Sequence, residues 1–220
     1  MKKIIKNILI FISYFIYEYL FIYILDYFGI HFSNFEYANK VITMFIFNLI
    51  FILLIIMIYK KELLIDLKDF KINYKQYLSK YLGLYVLGVF LMGCTNLILQ
   101  LITHLEISGN EENVRSLISK IPLFMAFSSV IYAPFVEEII FRKSIKNIID
   151  KKYIFIILSG FIFGALHITN YKDINEILMG IPYMIMGIDF AYIYYKTNNI
   201  FTTMTFHLCH NLILFIIQLL

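Results

Sequence analysis

The chain has 220 residues, of which 61% are apolar and only 15% charged, whereas a soluble domain carries about a quarter charged residues. This composition excludes an ordinary soluble globule of this size. The formal net charge of +4 is spread over several loops, without the long basic block or basic-aromatic stripe that is typical of nucleic-acid binding.

Seven apolar segments follow one another along the chain. A helix needs about 20 residues to cross the hydrocarbon core of a bilayer, and long unbroken apolar runs lack the alternation of a barrel strand. We therefore predict an all-α, polytopic transmembrane bundle of about seven spans: Ile4–Phe28, Val41–Tyr59, Tyr81–Thr103, Pro122–Phe141, Tyr153–Thr169, Ile177–Tyr195 and Ile200–Leu219.

The first apolar segment follows two lysines and so resembles a secretory signal peptide. It extends to about Phe28, however, which is longer than a signal core, and it contains Glu18 and Asp26. No small-residue cleavage site follows it. We expect it to be a retained first span.

The loop charges predict the orientation of the bundle. Cations concentrate before the first span, between the second and third, and between the fourth and fifth, whereas the intervening loops are poorer in them. This alternation follows the positive-inside rule for a chain with its N terminus inside and its C terminus outside. The polar segment Lys60–Lys80 has leucines near helical spacing, and we predict an amphipathic cytoplasmic surface helix there.

Ionisable residues inside membrane spans are costly and indicate function by default. They concentrate in the second half of the chain, in three short motifs. The fourth span ends in a Glu-Glu-x-x-x-Arg motif, the fifth contains Phe-x-x-x-His, and the seventh contains His-x-x-x-Asn: Glu137, Glu138 and Arg142; Phe163 and His167; His207 and Asn211.

The spacing of these residues predicts a different role for each of them. Arg142 lies four residues after Glu138, on the same face of a helix, and can neutralise it. Glu137 points about 100° away and is left free for other chemistry. Together with His167 and His207 it could hold a water molecule, with or without a divalent metal.

The three motifs, in this order on separate membrane helices, resemble the CPBP family of CAAX proteases and bacteriocin-processing enzymes, also called the Abi family. The segment Gly187–Asn199 is similar to the family's segment before its last motif. The resemblance covers roughly residues 121–215. It divides the chain into membrane helices with the amphipathic segment, residues 1–120, and a CPBP-like catalytic core, residues 121–220.

The resemblance implies a role for each motif residue. Glu137 would activate the attacking water together with His167, and His207 and Asn211 would stabilise the oxyanion. Glu138 and Arg142 would shape and neutralise the site. Family members are described as metalloproteases, which makes zinc the expected divalent metal and Glu137, His167 and His207 its candidate ligands. A metal-independent glutamate mechanism has also been argued for the prenyl-protein processing branch of the family, and the sequence leaves both open.

Three further residues have simpler explanations. We expect His210, which has no motif partner, and Asp189 to be packing residues, and Pro134 to kink the fourth helix.

Glu137 lies only about 8 Å along the helix from Arg142, so we expect the site to open towards the cytoplasmic side. His167 lies deeper in its span, so the fourth helix must sink further, bury Arg142 and continue towards Asp150 for the motifs to meet.

The sequence thus predicts an intramembrane endopeptidase in a lipid bilayer that hydrolyses a peptide or membrane-protein substrate. The Lys- and Ile-rich composition suits a low-GC bacterium, which favours a bacteriocin or pheromone precursor, or self-immunity, over a prenylated tail. A non-catalytic immunity or scaffold protein is the main alternative. A small transporter ranks third, because no internal repeat is present and the ionisable residues cluster at the motifs.

Overall fold

The computed structural model describes residues 2–220, with side chains from residue 3 onward. Every regular element in this range is helical, so the predicted all-α class is confirmed. Five helices are long and apolar enough to cross a membrane, and a shorter apolar helix accompanies them. The protein is a multi-pass membrane protein, as predicted.

The first half of the chain forms two long helical runs. Helix α1, Lys2–Phe15, continues through a π-helical turn at Ile16–Leu20 into α2, Phe21–Tyr27. A short 3-10 turn at Phe32–Asn34 leads into α3, Tyr37–Thr103. Helix α3 has 67 residues and therefore contains the second and third predicted spans together with the amphipathic segment between them.

Helix α3 is strongly bent. Val41, near its beginning, packs against the cluster that contains Ile118 and Phe215, and Met92, near its end, lines a cavity that Ile118 and Phe215 also line. A straight helix would separate Val41 from Met92 by about 77 Å, more than twice the thickness of the hydrocarbon core of about 30 Å. Its two halves therefore return to the same end of the bundle, as two separate spans would.

The second half of the chain contains the motif helices. A continuous helical run from Pro122 to Ile148, here called the EE helix, contains the Glu-Glu-x-x-x-Arg motif. Its π-helical turns lie at Ser128–Tyr132 and Glu138–Ser144. The helices of this half are α4, Gly109–Lys120; α5, Pro122–Phe127; α6, Ala133–Glu137; α7, Ile145–Ile148; α8, Lys152–Ala165; α9, Ile174–Leu178; α10, Ile181–Thr197; and α11, Ile200–Leu219.

Two predicted spans differ from the helices observed. Helix α8 has 14 residues and is about 21 Å long, so it is shorter than the predicted fifth span and than a bilayer core. The chain turns after it, through residues 166–173, instead of continuing the helix to Thr169. The predicted sixth span is divided into α9 and α10 at Met179–Gly180, just before Pro182 at the start of α10.

Pro134 is accommodated by the wide turn that precedes it. Proline has no N–H for the helical bond to the carbonyl four residues earlier, and its ring crowds that carbonyl. The π-helical turn Ser128–Tyr132 provides the extra space directly before Pro134. The second wide turn begins at Glu138, and π-helical turns of this kind are frequent at functional sites.

The lysine-rich segments meet at one end of the bundle. Lys6 pairs with Glu62, Lys143 forms a buried ion pair with Asp66, and the Asn199 side chain donates to the Asp66 carbonyl. We call this the cation-rich end. It contains fourteen Lys and Arg against four Asp and Glu, in residues 2–6, 60–80, 143–152 and 196–199.

The other loops meet at the opposite end. The Gly109 N–H donates to Glu176, and the Ser108 and Tyr183 hydroxyls lie 3.3 Å apart. We call this the acidic end. It contains four Lys and Arg against seven Asp and Glu, in residues 26–40, 104–120 and 170–176. The positive-inside rule predicts that the cation-rich end lies in the cytoplasm and the acidic end outside.

Helices α8 and α10 cross closely because glycines lie at their contact. A Cβ at Gly164 would lie 2.7 Å from the Met184 backbone nitrogen, and a Cβ at Gly187 would lie 2.9 Å from the Gly160 Cα. Both distances are shorter than real Cβ contacts allow. The crossing fixes the end of α8, from which His167 follows.

We expect Gly164→Ala to lower the free energy of unfolding by about 1–3 kcal/mol, because the added methyl group overpacks this crossing. Gly83, in α3, has open space around it, so Gly83→Ala is the matched control and should raise stability by about 0.5–1 kcal/mol. Thermal unfolding of the purified variants in detergent measures both effects. Equal melting temperatures for Gly164→Ala and the parent would contradict the close crossing.

Candidate active site

Glu138 and Arg142 form the buried base of the site. Both side chains are fully buried, and the Arg142 Nη1 lies 3.4 Å from the Glu138 Oε1. The guanidinium also lies 4.4 Å from the ring centroid of Phe163 and 5.6 Å from that of Phe190. The predicted ion pair is therefore present, and two aromatic rings hold its cation.

His207 lies between the two glutamates of the motif. Its Nδ1 is 2.9 Å from the Glu138 Oε1, and its Nε2 is 3.8 Å from the Glu137 Oε2. Donation from Nδ1 to the Glu138 carboxylate leaves the Nε2 of a neutral ring as an acceptor. A doubly protonated ring would instead donate from Nε2, as the oxyanion role implied by the family resemblance requires.

Glu137 is the freer of the two carboxylates. Its side chain is 17% exposed, against 0% for Glu138, and it lines the cavity described below, whereas Glu138 does not. The gap of 3.8 Å to His207 is too long for a direct hydrogen bond. One water molecule placed to the side of this gap would lie within hydrogen-bond distance of both groups.

His167 lies in the turn after α8. Its Nδ1 is 2.8 Å from the Phe163 carbonyl oxygen, which indicates that Nδ1 carries the proton and that Nε2 is the free ring nitrogen. The ring stacks on Tyr183, with centroids 4.3 Å apart. His167 lines the same cavity as Glu137, but it forms no ion pair with a carboxylate in the part of the chain that the structure describes.

Asn211 follows His207 by one helical turn. Its side-chain amide donates to the Ser129 carbonyl in the first wide turn of the EE helix, at 2.8 Å. An amide nitrogen carries two protons, so one N–H remains for another acceptor. This hydrogen bond also ties α11 to the EE helix at the depth of the site.

A cavity of about 490 Å³ joins the motif residues. Glu137, His167, His207 and Asn211 all line it, so the structure brings together the three helices that the motifs predicted. Its remaining walls are mainly apolar, with several methionine and aromatic side chains. The motif pair Glu138 and Arg142 lies behind this surface and is closed off from it.

The EE helix explains how Glu137 and His167 reach one depth. The helix does not end at Phe141 but continues to Ile148, so Arg142 is buried and Glu137 lies about 16 Å from the end of the run. The predicted burial of Arg142 and extension of the helix are thereby confirmed. The predicted cytoplasmic opening rested on the shorter helix.

The cavity opens at the acidic end. On α11 it follows one face from His207 to Gln218, and on the EE helix it runs from Glu137 back to Met125. Among the described residues, none from the cation-rich end lines it. In the predicted orientation, with the cation-rich end inside, this opening lies on the outer side and differs from the predicted cytoplasmic opening, because the buried EE-helix extension closes the inner side.

His210 and Asp189 also lie close to the site. His210 lines the cavity, and its Nδ1 is 3.4 Å from the Tyr85 hydroxyl. Asp189 is buried, and its side chain fills the space beside Gly88 of α3. These contacts join α3 to α11 and to α10, which agrees with the packing roles expected from the sequence.

The candidate metal ligands do not form a compact set. Glu137 and His207 face each other, but within the described residues no three His, Cys, Asp or Glu side chains lie close enough together to hold a metal ion. Structural and catalytic zinc sites use at least three protein ligands. The arrangement therefore does not fit a zinc site, and we derive no step through a metal.

Two residues that support the site carry no sequence signal of their own. Tyr183, which stacks on His167, is one of 18 tyrosines, and Ser129, which accepts from Asn211, does so through its backbone. Only the packed helices identify them.

Comparison with known proteins gives two matches to this chain. Residues 119–213, which contain all six motif residues named as catalytic, match the family described as Type II CAAX prenyl endopeptidase Rce1-like. A Bacillus subtilis (strain 168) protein named "Putative membrane peptidase YdiL" is 34% identical over 115 residues. The aligned part is 51% of this chain and 44% of that protein, less than half of its length. No solved structure matches.

The fold and the site thus define a class, the multi-pass helical membrane proteins with a buried glutamate–histidine cavity. The predicted resemblance to the CPBP family is confirmed over residues 119–213, which are similar to the Rce1-like family.

Proposed function

We propose that the protein is an intramembrane endopeptidase that hydrolyses a peptide bond with a water molecule activated by Glu137. The observation that carries this proposal is the pair of Glu137 Oε2 and His207 Nε2, which lie 3.8 Å apart at the deep end of the cavity, with Glu138 on the other ring nitrogen. The membrane-peptidase relative and the Rce1-like match support the same class.

The reaction follows from the protons that these groups can accept and donate. Water binds between Glu137 and His207, and Glu137 takes one proton as the water oxygen bonds to the peptide carbonyl carbon. His207 Nε2 orients the water by accepting its second hydrogen. The free N–H of Asn211 donates to the oxyanion. Glu137 then transfers its proton to the leaving nitrogen as the C–N bond breaks, and is a carboxylate again.

The other motif residues position this pair. Glu138 holds the His207 ring by its Nδ1, as the carboxylate of a catalytic triad does. Arg142 balances the charge of Glu138 without lining the cavity. His167, whose Nε2 is free, assists in holding the water. The Lys- and Ile-rich composition suits a low-GC bacterium. For this reason the proposed substrate is a peptide and not a prenylated tail.

Comparison of peptide termini tests this function before any substrate has been identified. We expect membrane and secreted fractions of cells with the parent protein to contain new termini that are absent with Glu137→Gln. Glu112→Gln, an exposed glutamate outside the cavity, is the matched control and should preserve them. Identical termini in all three strains, with each protein inserted, would instead favour the immunity or scaffold function.

The metal question has a separate test. We propose a glutamate-type mechanism, because the described residues do not gather three ligands. We therefore expect the purified protein to contain less than stoichiometric zinc by elemental analysis and to keep its cleavage rate after chelation and dialysis. Stoichiometric zinc that is lost together with activity, and restored with it, would overturn the glutamate-type mechanism and support the family's metalloprotease description.

A further inference from the structure

The direction in which the cavity opens indicates where the substrate comes from. This inference rests on the proposed function. The elements that line the cavity contribute residues that run from the depth of the motifs towards the acidic end only. On α11 these are one helical face with spacings of three and four residues: His207, His210, Asn211, Leu214, Phe215 and Gln218. This face extends about 16 Å from His207.

The other elements agree in direction. The EE helix contributes from Glu137 back to Met125, and α10 contributes only its first half, from Pro182 to Phe190. Helix α4, which lies wholly at the acidic end, adds four lining residues from Asn110 to Ile118. A chain that enters at the acidic end therefore meets an unbroken lining down to the motif residues.

The cation-rich end is closed below the motifs. The next residues on the EE helix after Glu137 include Ile139, Ile140 and Phe141, each at most 1% exposed. The buried pair of Lys143 and Asp66 lies beyond them and joins the helix to the bend of α3. No access from this end is present among the described residues.

Charge sets which end faces the cytoplasm. The cation-rich end has fourteen Lys and Arg against four Asp and Glu, and the acidic end has four against seven. A difference of this size in short loops strongly favours the cation-rich end inside. The cavity mouth consequently lies on the extracytoplasmic side.

We propose that the substrate is a peptide segment presented at the extracytoplasmic face of the membrane, after its export, and not a precursor in the cytoplasm. The apolar lining accepts the apolar residues of such a segment, and the three methionines in it, Met92, Met125 and Met186, adapt to side chains of different shape. The scissile bond reaches Glu137 from the outside.

Cysteine labelling tests the direction of the cavity independently of any cleavage. The background is the full chain with Cys94→Ser and Cys209→Ser, which removes the two native cysteines. Asn113→Cys places a thiol at the exposed acidic end, and Lys151→Cys places one at the exposed cation-rich end. Ser128→Cys places a third within the cavity lining.

In spheroplasts, a charged membrane-impermeant thiol reagent should modify Asn113→Cys and, more slowly, Ser128→Cys. Lys151→Cys should react only after permeabilisation. Modification of Lys151→Cys alone in intact spheroplasts, or of Ser128→Cys only after permeabilisation, would overturn the proposal. The same labelling in the presence of Glu137→Gln should be unchanged, so the direction of access is decided even if the protein cleaves nothing.

A second measurement tests the substrate class when cleavage is observed. A candidate peptide found by terminus comparison is expressed with and without its export signal. We expect cleavage of the exported form only, and cleavage of the signal-less form in the cytoplasm would contradict the extracytoplasmic substrate while leaving the proposed hydrolysis intact.

Discussion

Glu137→Gln is expected to lower kcat/KM for peptide hydrolysis by about 10²–10⁴-fold, the usual contribution of a general base. The amide has nearly the same shape as the carboxylate but cannot accept the water proton. Glu137 has no close hydrogen bond or ion pair in the described structure apart from the 3.8 Å approach to His207, so the variant should remain folded. Cleavage of a fluorogenic peptide by purified protein measures the effect.

Two controls separate this chemistry from structural damage. Glu112→Gln should leave the rate unchanged, and thermal unfolding should be the same for Glu137→Gln and the parent. If Glu137→Gln cleaves at the parent's rate, Glu137 is not the base, and the hydrolytic mechanism proposed for this site is wrong.

Arg142→Met is expected to destabilise the protein by about 3–5 kcal/mol, because it leaves the charge of Glu138 buried without its partner. The chain contains a matched pair with the same four-residue spacing at the surface, Glu111 and Arg115, in which the Arg115 side chain is 51% exposed. Arg115→Met should cost at most about 1 kcal/mol. Thermal and denaturant unfolding in detergent compares the two substitutions.

The double variant Glu138→Gln/Arg142→Met distinguishes charge from shape. It removes both charges, so it should recover part of the stability lost in Arg142→Met. Equal losses for Arg142→Met and Arg115→Met would contradict a structural role for the buried pair. A double variant no more stable than Arg142→Met would indicate that the contacts of the guanidinium with Phe163 and Phe190, and not its pairing with Glu138, hold the helix.

The sequence predicted those features that depend on composition and on helical spacing. Apolar length identified the membrane helices, and the four-residue spacing of Glu138 and Arg142 gave their ion pair. The order of the three motifs gave the resemblance to the CPBP family, which the match of residues 119–213 supports. The roles of the individual site residues, and the division of the chain at residue 120, stay predictions. Residues from both sides of that boundary, such as Ile55 and Ile140, share one core.

Other features depend on tertiary packing, which the spacing of residues along the sequence does not predict. The bend of α3 follows from contacts of Val41 and Met92 with the same region, and no proline or glycine pair marks it in the sequence. The prediction of where the cavity opens depended on where the EE helix ends. Apolar and charged residues after Arg142 gave no clear boundary, and the helix proved to extend to Ile148.

The most direct test of the central claim is peptide cleavage by the purified protein in lipid nanodiscs in ¹⁸O-labelled water. The substrate is the peptide identified by terminus comparison. We predict one ¹⁸O atom in the new carboxyl terminus made by the parent and no product with Glu137→Gln. Absence of cleavage by the folded parent, or equal cleavage by both proteins, would contradict a hydrolytic site built on Glu137.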